Sequence, residues 1–91
     1  MSTLRVAAVQ HDICWNDRCA NFEHLSPMIS GAVASGAGLV LLTETFSTGF
    51  GFDDPAFITE PEGGASSQFL SEQARLHGVW VGGSCPEVRA D

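Results

Sequence analysis

The sequence predicts an α/β fold with a parallel sheet, and two observations predict it. Short apolar segments at Leu4–Val9, Leu39–Leu42 and Val79–Gly82 have the length of strands, and the first two carry unbroken apolar runs of the kind buried on both faces. The stretches between them carry helical signals and are too long for hairpins. Crossovers of that length make neighbouring strands parallel and the connections right-handed. The predicted order is β-α-β-loop-α-β.

The first strand, with Val6-Ala7-Ala8-Val9 at its centre, reads as an interior strand of the sheet. Gln10-His11-Asp12 ends it, and His11 reads as a surface or hydrogen-bonded loop histidine. Asn16 or Asp17 suits the cap of a helix. Phe22, Leu25, Met28, Ile29, Ala32 and Val33 then recur at three- and four-residue steps, the pattern of one apolar face turned to a core. Pro27 interrupts that pattern: either the helix kinks there, or its regular part starts with Ser26 as cap and Pro27 in the first turn. Gly36 and Gly38 stop the helix.

After the second strand, residues 51–64 read as a long loop, and Phe50 just before it, with Phe52 and Phe57, either lines a pocket there or tucks the loop onto the core. Ser66 or Ser67 suits the cap of a second helix, with Phe69, Leu70, Ala74 and Leu76 inward and His77-Gly78 at its end. Gly82-Gly83 permits tight packing or a backbone wall of a pocket. There is no GxGxxG and no P-loop, and a phosphate cradle would need a helix start that Pro86-Glu87-Val88 does not supply. No closing element is expected after the third strand. Three parallel strands leave long open edges, so the chain reads as the start of a larger α/β domain.

The 91 residues hold at most one domain, and a domain that small buries only about two-thirds of its unfolded surface. The net charge is −7, with four Arg and no Lys, which argues against nucleic acid and anionic membrane surfaces as partners. Cys14, Cys19 and Cys85 show no CxxC spacing and read as reduced thiols rather than a disulfide frame or zinc site. With neither a signal-peptide pattern nor a run of membrane-span length, a cytoplasmic location is expected.

The stretch that carries chemistry is Gly38–Phe50, GLVLLTETFSTGF. Glu44 is the only charged residue between Glu23 and Asp53, and it follows a buried strand directly. Open α/β sheets place their chemistry at such strand ends, and burial there raises a carboxylate pKa towards that of a useful base. A second reading makes Glu44 an acid that only caps the next turn.

Three segments together resemble the amino-terminal part of the nitrilase superfamily, the carbon–nitrogen hydrolases: RVAAVQ at 5–10, GAGLVLLTETFSTGF at 36–50 and HGVWVGGSCPE at 77–87. The TGF after the glutamate resembles the omega-amidase branch. The resemblance implies a four-layer α-β-β-α sandwich, of which this chain supplies the first β-α-β-α-β portion, and a parent that is a homodimer or larger. It implies hydrolysis of a small-molecule amide by a glutamate, a lysine and a cysteine, with no metal or organic cofactor. Glu44 falls on the position of the family's general base. Thr43 stands where the family commonly has proline, and no lysine is present. The family's nucleophilic cysteine comes later and precedes an aromatic and an acid, so Cys85, followed by Pro86-Glu87-Val88, reads as a packing residue. These residues alone are therefore expected to be inactive. A non-catalytic α/β binding module, or a flavodoxin-like ligand-binding fragment, is the alternative.

Overall fold

The structure, a computed structural model, describes residues 2–51 and 60–88. In order these form β1 (Val6–Val9), α1 (Arg18–Ala34), β2 (Leu39–Leu42), β3 (Glu60–Pro61), α2 (Ala65–His77), β4 (Trp80–Gly82) and β5 (Glu87–Val88). Strands β1, β2 and β4 make a parallel sheet in the order β1-β2-β4, so the predicted α/β class holds. Val40 in the central strand faces Ala7 on one side and Val81 on the other.

The core is built from both helices on one face of that sheet. Val9 and Val40 meet Leu25 and Ile29 of α1 and Phe69 of α2, all buried. Phe22 stacks on Phe69 with centroids 4.4 Å apart, and Phe46, from the turn after β2, packs against both rings. Offset aromatic contact of this kind adds about 0.5–1.5 kcal/mol per pair beyond burial.

The opposite sheet face is open. Side chains alternate along a strand, and in a parallel register Val6, Leu39 and Trp80 stand side by side. Val6 is 49% exposed, Leu41 43% and Trp80 77%. Strands apolar on both faces, as the sequence reads, thus lack a covering layer on one of them among the described residues. Expected as an interior strand, β1 is corrected: among the described residues it pairs with β2 alone. An unbroken apolar run signals apolar surroundings, but it does not say how many hydrogen-bonded neighbours a strand has.

Helix α1 begins at Asp17, whose carboxylate accepts from the Ala20 N–H at 3.0 Å. It continues through Pro27, so Ser26 does not start it; instead the Ser26 hydroxyl donates to the Phe22 carbonyl one turn back. Met28, expected inward, is 40% exposed, because the buried stripe runs through Asn21, Leu25 and Ile29. Leu76 of α2 is likewise exposed. Gly78 closes α2 in the left-handed conformation (φ 65°), as a terminal glycine permits.

The start of α2 differs from the expected serine cap. Its N-cap is Gly64, which has no side chain to offer, and Ser66 lies inside the helix. The Ser66 N–H donates to a Glu60 carboxylate oxygen at 2.7 Å, so an acid from outside the helix meets the positive end of its dipole. Glu60 sits in β3, which pairs parallel with β5. Both two-residue strands fall where a loop and an open end were expected; a Glu-Pro step carries no apolar period to announce a strand. Phe52 and Phe57 lie outside the described residues. Among those described, no helix is long and apolar enough to cross a membrane.

Candidate active site

Because β1, β2 and β4 run parallel, the segments that follow them emerge at the same edge of the sheet. The turn after β2 carries Glu44 and is tied to both neighbours. On one side, the Asn16 N–H donates to the Thr48 carbonyl at 2.9 Å. On the other, the Thr45 N–H donates to Ser84 Oγ at 2.6 Å. From beneath, Asn21 of α1 donates through Nδ2 to the Ser47 carbonyl at 2.7 Å and to the Cys14 carbonyl at 2.8 Å. Its Oδ1 accepts from the Cys14 N–H at 2.8 Å. Asn21 is fully buried, and both its donors and its acceptor are used.

Residues 45–49 are buried, whereas Glu44 itself is exposed. Its carboxylate makes no hydrogen bond or ion pair among the described residues. The burial expected of Glu44 at the end of its strand is therefore absent in this chain. Thr45, next in sequence, has φ 45°, a left-handed conformation disfavoured for a β-branched residue. Backbone outliers of this kind gather at functional sites, where the surroundings over-determine them.

A second acid, Glu60, is buried below the turn. Arg18 Nε meets it at 2.5 Å. Ser66 donates its hydroxyl proton to the same carboxylate and is joined to the Ser47 hydroxyl at 2.6 Å. Since Ser66 has one proton to give, Ser47 is the donor in the hydroxyl pair. The network thus runs from Arg18 through Glu60 and Ser66 to the Glu44 turn.

A carbon-nitrogen hydrolase family model matches residues 5–91. The chain belongs to the carbon-nitrogen hydrolase family. It is 34% identical over 88 residues to Omega-amidase NIT2 of Danio rerio, an alignment covering 96% of this chain and 31% of that protein. Its fold is similar to the crystal structure of XC1258 from Xanthomonas campestris, a CN-hydrolase superfamily protein. The TM-score is 0.78 and the identity 28%, over 91% of this chain and 31% of that one. The chain thus spans about a third of the length of these relatives.

Within this carbon-nitrogen hydrolase chain, Cys85 packs against the core. Burial pushes its thiol pKa up, and Glu60 and Glu87 push it the same way. A nucleophilic cysteine needs the opposite, a positive neighbour that favours thiolate. His11 departs from expectation: both ring nitrogens are enclosed and have no hydrogen-bond partner among the described residues. Phe50 is 51% exposed, edge-on to Trp15 at 6.5 Å. Gly83 answers the glycine question in favour of tight packing, since a Cβ there would sit 2.8 Å from the Phe46 ring.

Asn21, Ser84 and Glu60 were not among the residues the sequence singled out. Asn21 carried a signal: it lies four residues before Leu25 and eight before Ile29, a polar residue on a core stripe. Glu60 has a consequence for acid stability in this chain. Burial raises its pKa, but hydrogen bonds from Ser66 and the Arg18 guanidinium outweigh burial and hold it below the usual carboxylate range. A depressed folded pKa adds stability above the unfolded value, and that stability is lost as pH falls through the folded one. Between pH 5 and 3 the urea midpoint is expected to fall more steeply for the wild type than for Glu60→Gln. Parallel curves would show that Glu60 is not the linked group.

Proposed function

We propose that the protein containing this chain hydrolyses a small carboxamide to the acid and ammonia, with Glu44 as general base. The observation that carries this reading is the placement of Glu44. It leaves the central strand on a turn braced by both neighbouring segments, with a carboxylate engaged by nothing among the described residues. A free acceptor on a fixed backbone is what proton abstraction requires. The likeness to an omega-amidase supports an amide over a nitrile substrate.

In this reading Glu44 takes the proton from a cysteine thiol, and the thiolate attacks the amide carbon. The C–N bond breaks as ammonia leaves, and water hydrolyses the thioester. A lysine and a backbone donor stabilise the oxyanion. That lysine is not in this chain, and none of its cysteines has the expected surroundings.

The full-length protein is expected to release ammonia from small carboxamides, and residues 1–91 alone to release none; an enzyme-coupled ammonia assay measures both. Turnover by the 91 residues alone would remove the need for groups outside them. A full-length protein active on nitriles but on no carboxamide would overturn the substrate class.

A further inference from the structure

We propose that Ser84 is a positioning residue for Glu44; this rests on the reading of Glu44 as base. The N–H that Ser84 accepts, that of Thr45, belongs to the peptide unit joining Glu44 to Thr45. Orienting that unit sets the backbone torsion of Glu44, and with it the direction of the carboxylate. The Thr45 carbonyl is held within its own turn, by the Thr48 and Gly49 N–H groups at 3.1 and 2.9 Å. Among the described residues its N–H is held only by Ser84, 39 residues further along the chain and past β4.

The left-handed Thr45 makes such an anchor necessary. A β-branched residue at φ 45° relaxes towards negative φ unless something opposes it, and relaxation would swing the Glu44–Thr45 peptide. The anchor is also placed with care. Gly83 has no Cβ, so the Phe46 ring lies directly against that backbone and brings Ser84 to the turn. Asn21 and Ser66 secure Ser47, on the far side of the turn, and leave the Glu44 end to Ser84.

Ser84 lies in an exposed segment, so losing its hydroxyl is expected to change function more than stability. In the full-length protein, Ser84→Ala is expected to lower kcat about tenfold to a hundredfold, the range for a displaced catalytic group. KM should change less than about twofold, since substrate binding is not the step affected. Ser84→Thr, which keeps the hydroxyl, should restore kcat to within about threefold of wild type. Hydrogen exchange of the Thr45 amide, measured in the same variants, should quicken about tenfold or more in Ser84→Ala, while β2 amides keep their protection.

The outcomes separate the two claims. Unchanged kcat in Ser84→Ala, with Glu44→Gln inactive, overturns positioning and leaves the base intact. An active Glu44→Gln overturns the base, and the Thr45 exchange rate then decides alone whether Ser84 holds the turn. Failure of Ser84→Thr to rescue shows that the hydroxyl is not what acts.

Discussion

Glu44→Gln in the full-length protein is expected to lower kcat/KM for carboxamide hydrolysis by about 10²–10⁴-fold, the span associated with a positioned general base. Glutamine keeps the length and planarity of the side chain and removes only its ability to take a proton. Because Glu44 is exposed and makes no internal bond among the described residues, the swap should move stability by no more than about 0.5 kcal/mol. Activity and fold therefore separate in one variant. Ammonia release measures the first, and the urea midpoint measures the second. Activity within about threefold of wild type would exclude Glu44 from proton transfer. A large drop in midpoint would instead mean that the carboxylate serves the turn, the capping role that the sequence leaves open.

The largest effect on folding is expected at Asn21. Truncation of the fully buried Asn21 to alanine strands the buried Ser47 carbonyl and the half-buried Cys14 N–H and carbonyl. Each unsatisfied group costs about 1–3 kcal/mol, so the loss should be on the order of 3 kcal/mol or more. Native proteins are stable by only about 5–15 kcal/mol in total, which makes this a large fraction. Asn21→Asp is the sharper variant. It is nearly isosteric, yet it turns a carboxylate oxygen towards two carbonyl oxygens where an amide had two donors. It should be at least as damaging as alanine, against the order that size alone would give. Urea denaturation of the two variants checks both claims, and a loss under about 0.5 kcal/mol in either would show that the loop and turn hold without Asn21.

Much of this architecture was legible because it rests on apolar pattern. The runs at 39–42 and 79–82 and the recurrence from Phe22 to Val33 placed the parallel strands and first helix, since burial dictates residue type directly. Glu44 was legible for the converse reason, as a lone charge after a strand. What stayed hidden depends on partners distant in sequence. Glu60 caps α2 and pairs with Arg18, 42 residues away, and nothing local to Glu60 announces either role. Ser84 looks like any loop serine until Thr45 is seen beside it. Met28 and Leu76 were misplaced because a helical stripe is wider than the set of positions that reach the core.

The open sheet face bears on how such a protein is made. Val6, Leu41 and Trp80 belong to a chain whose relatives are about three times as long. Synthesis runs at about 5–20 residues per second, so in a protein of that length the remaining two-thirds would take on the order of ten seconds or more. Throughout such an interval the helices can already cover one side of the three strands, while the other side stays bare. Sticky surface presented on that timescale is a substrate for chaperones and for neighbouring nascent chains. The same apolar side chains are thus a kinetic hazard for as long as nothing covers them.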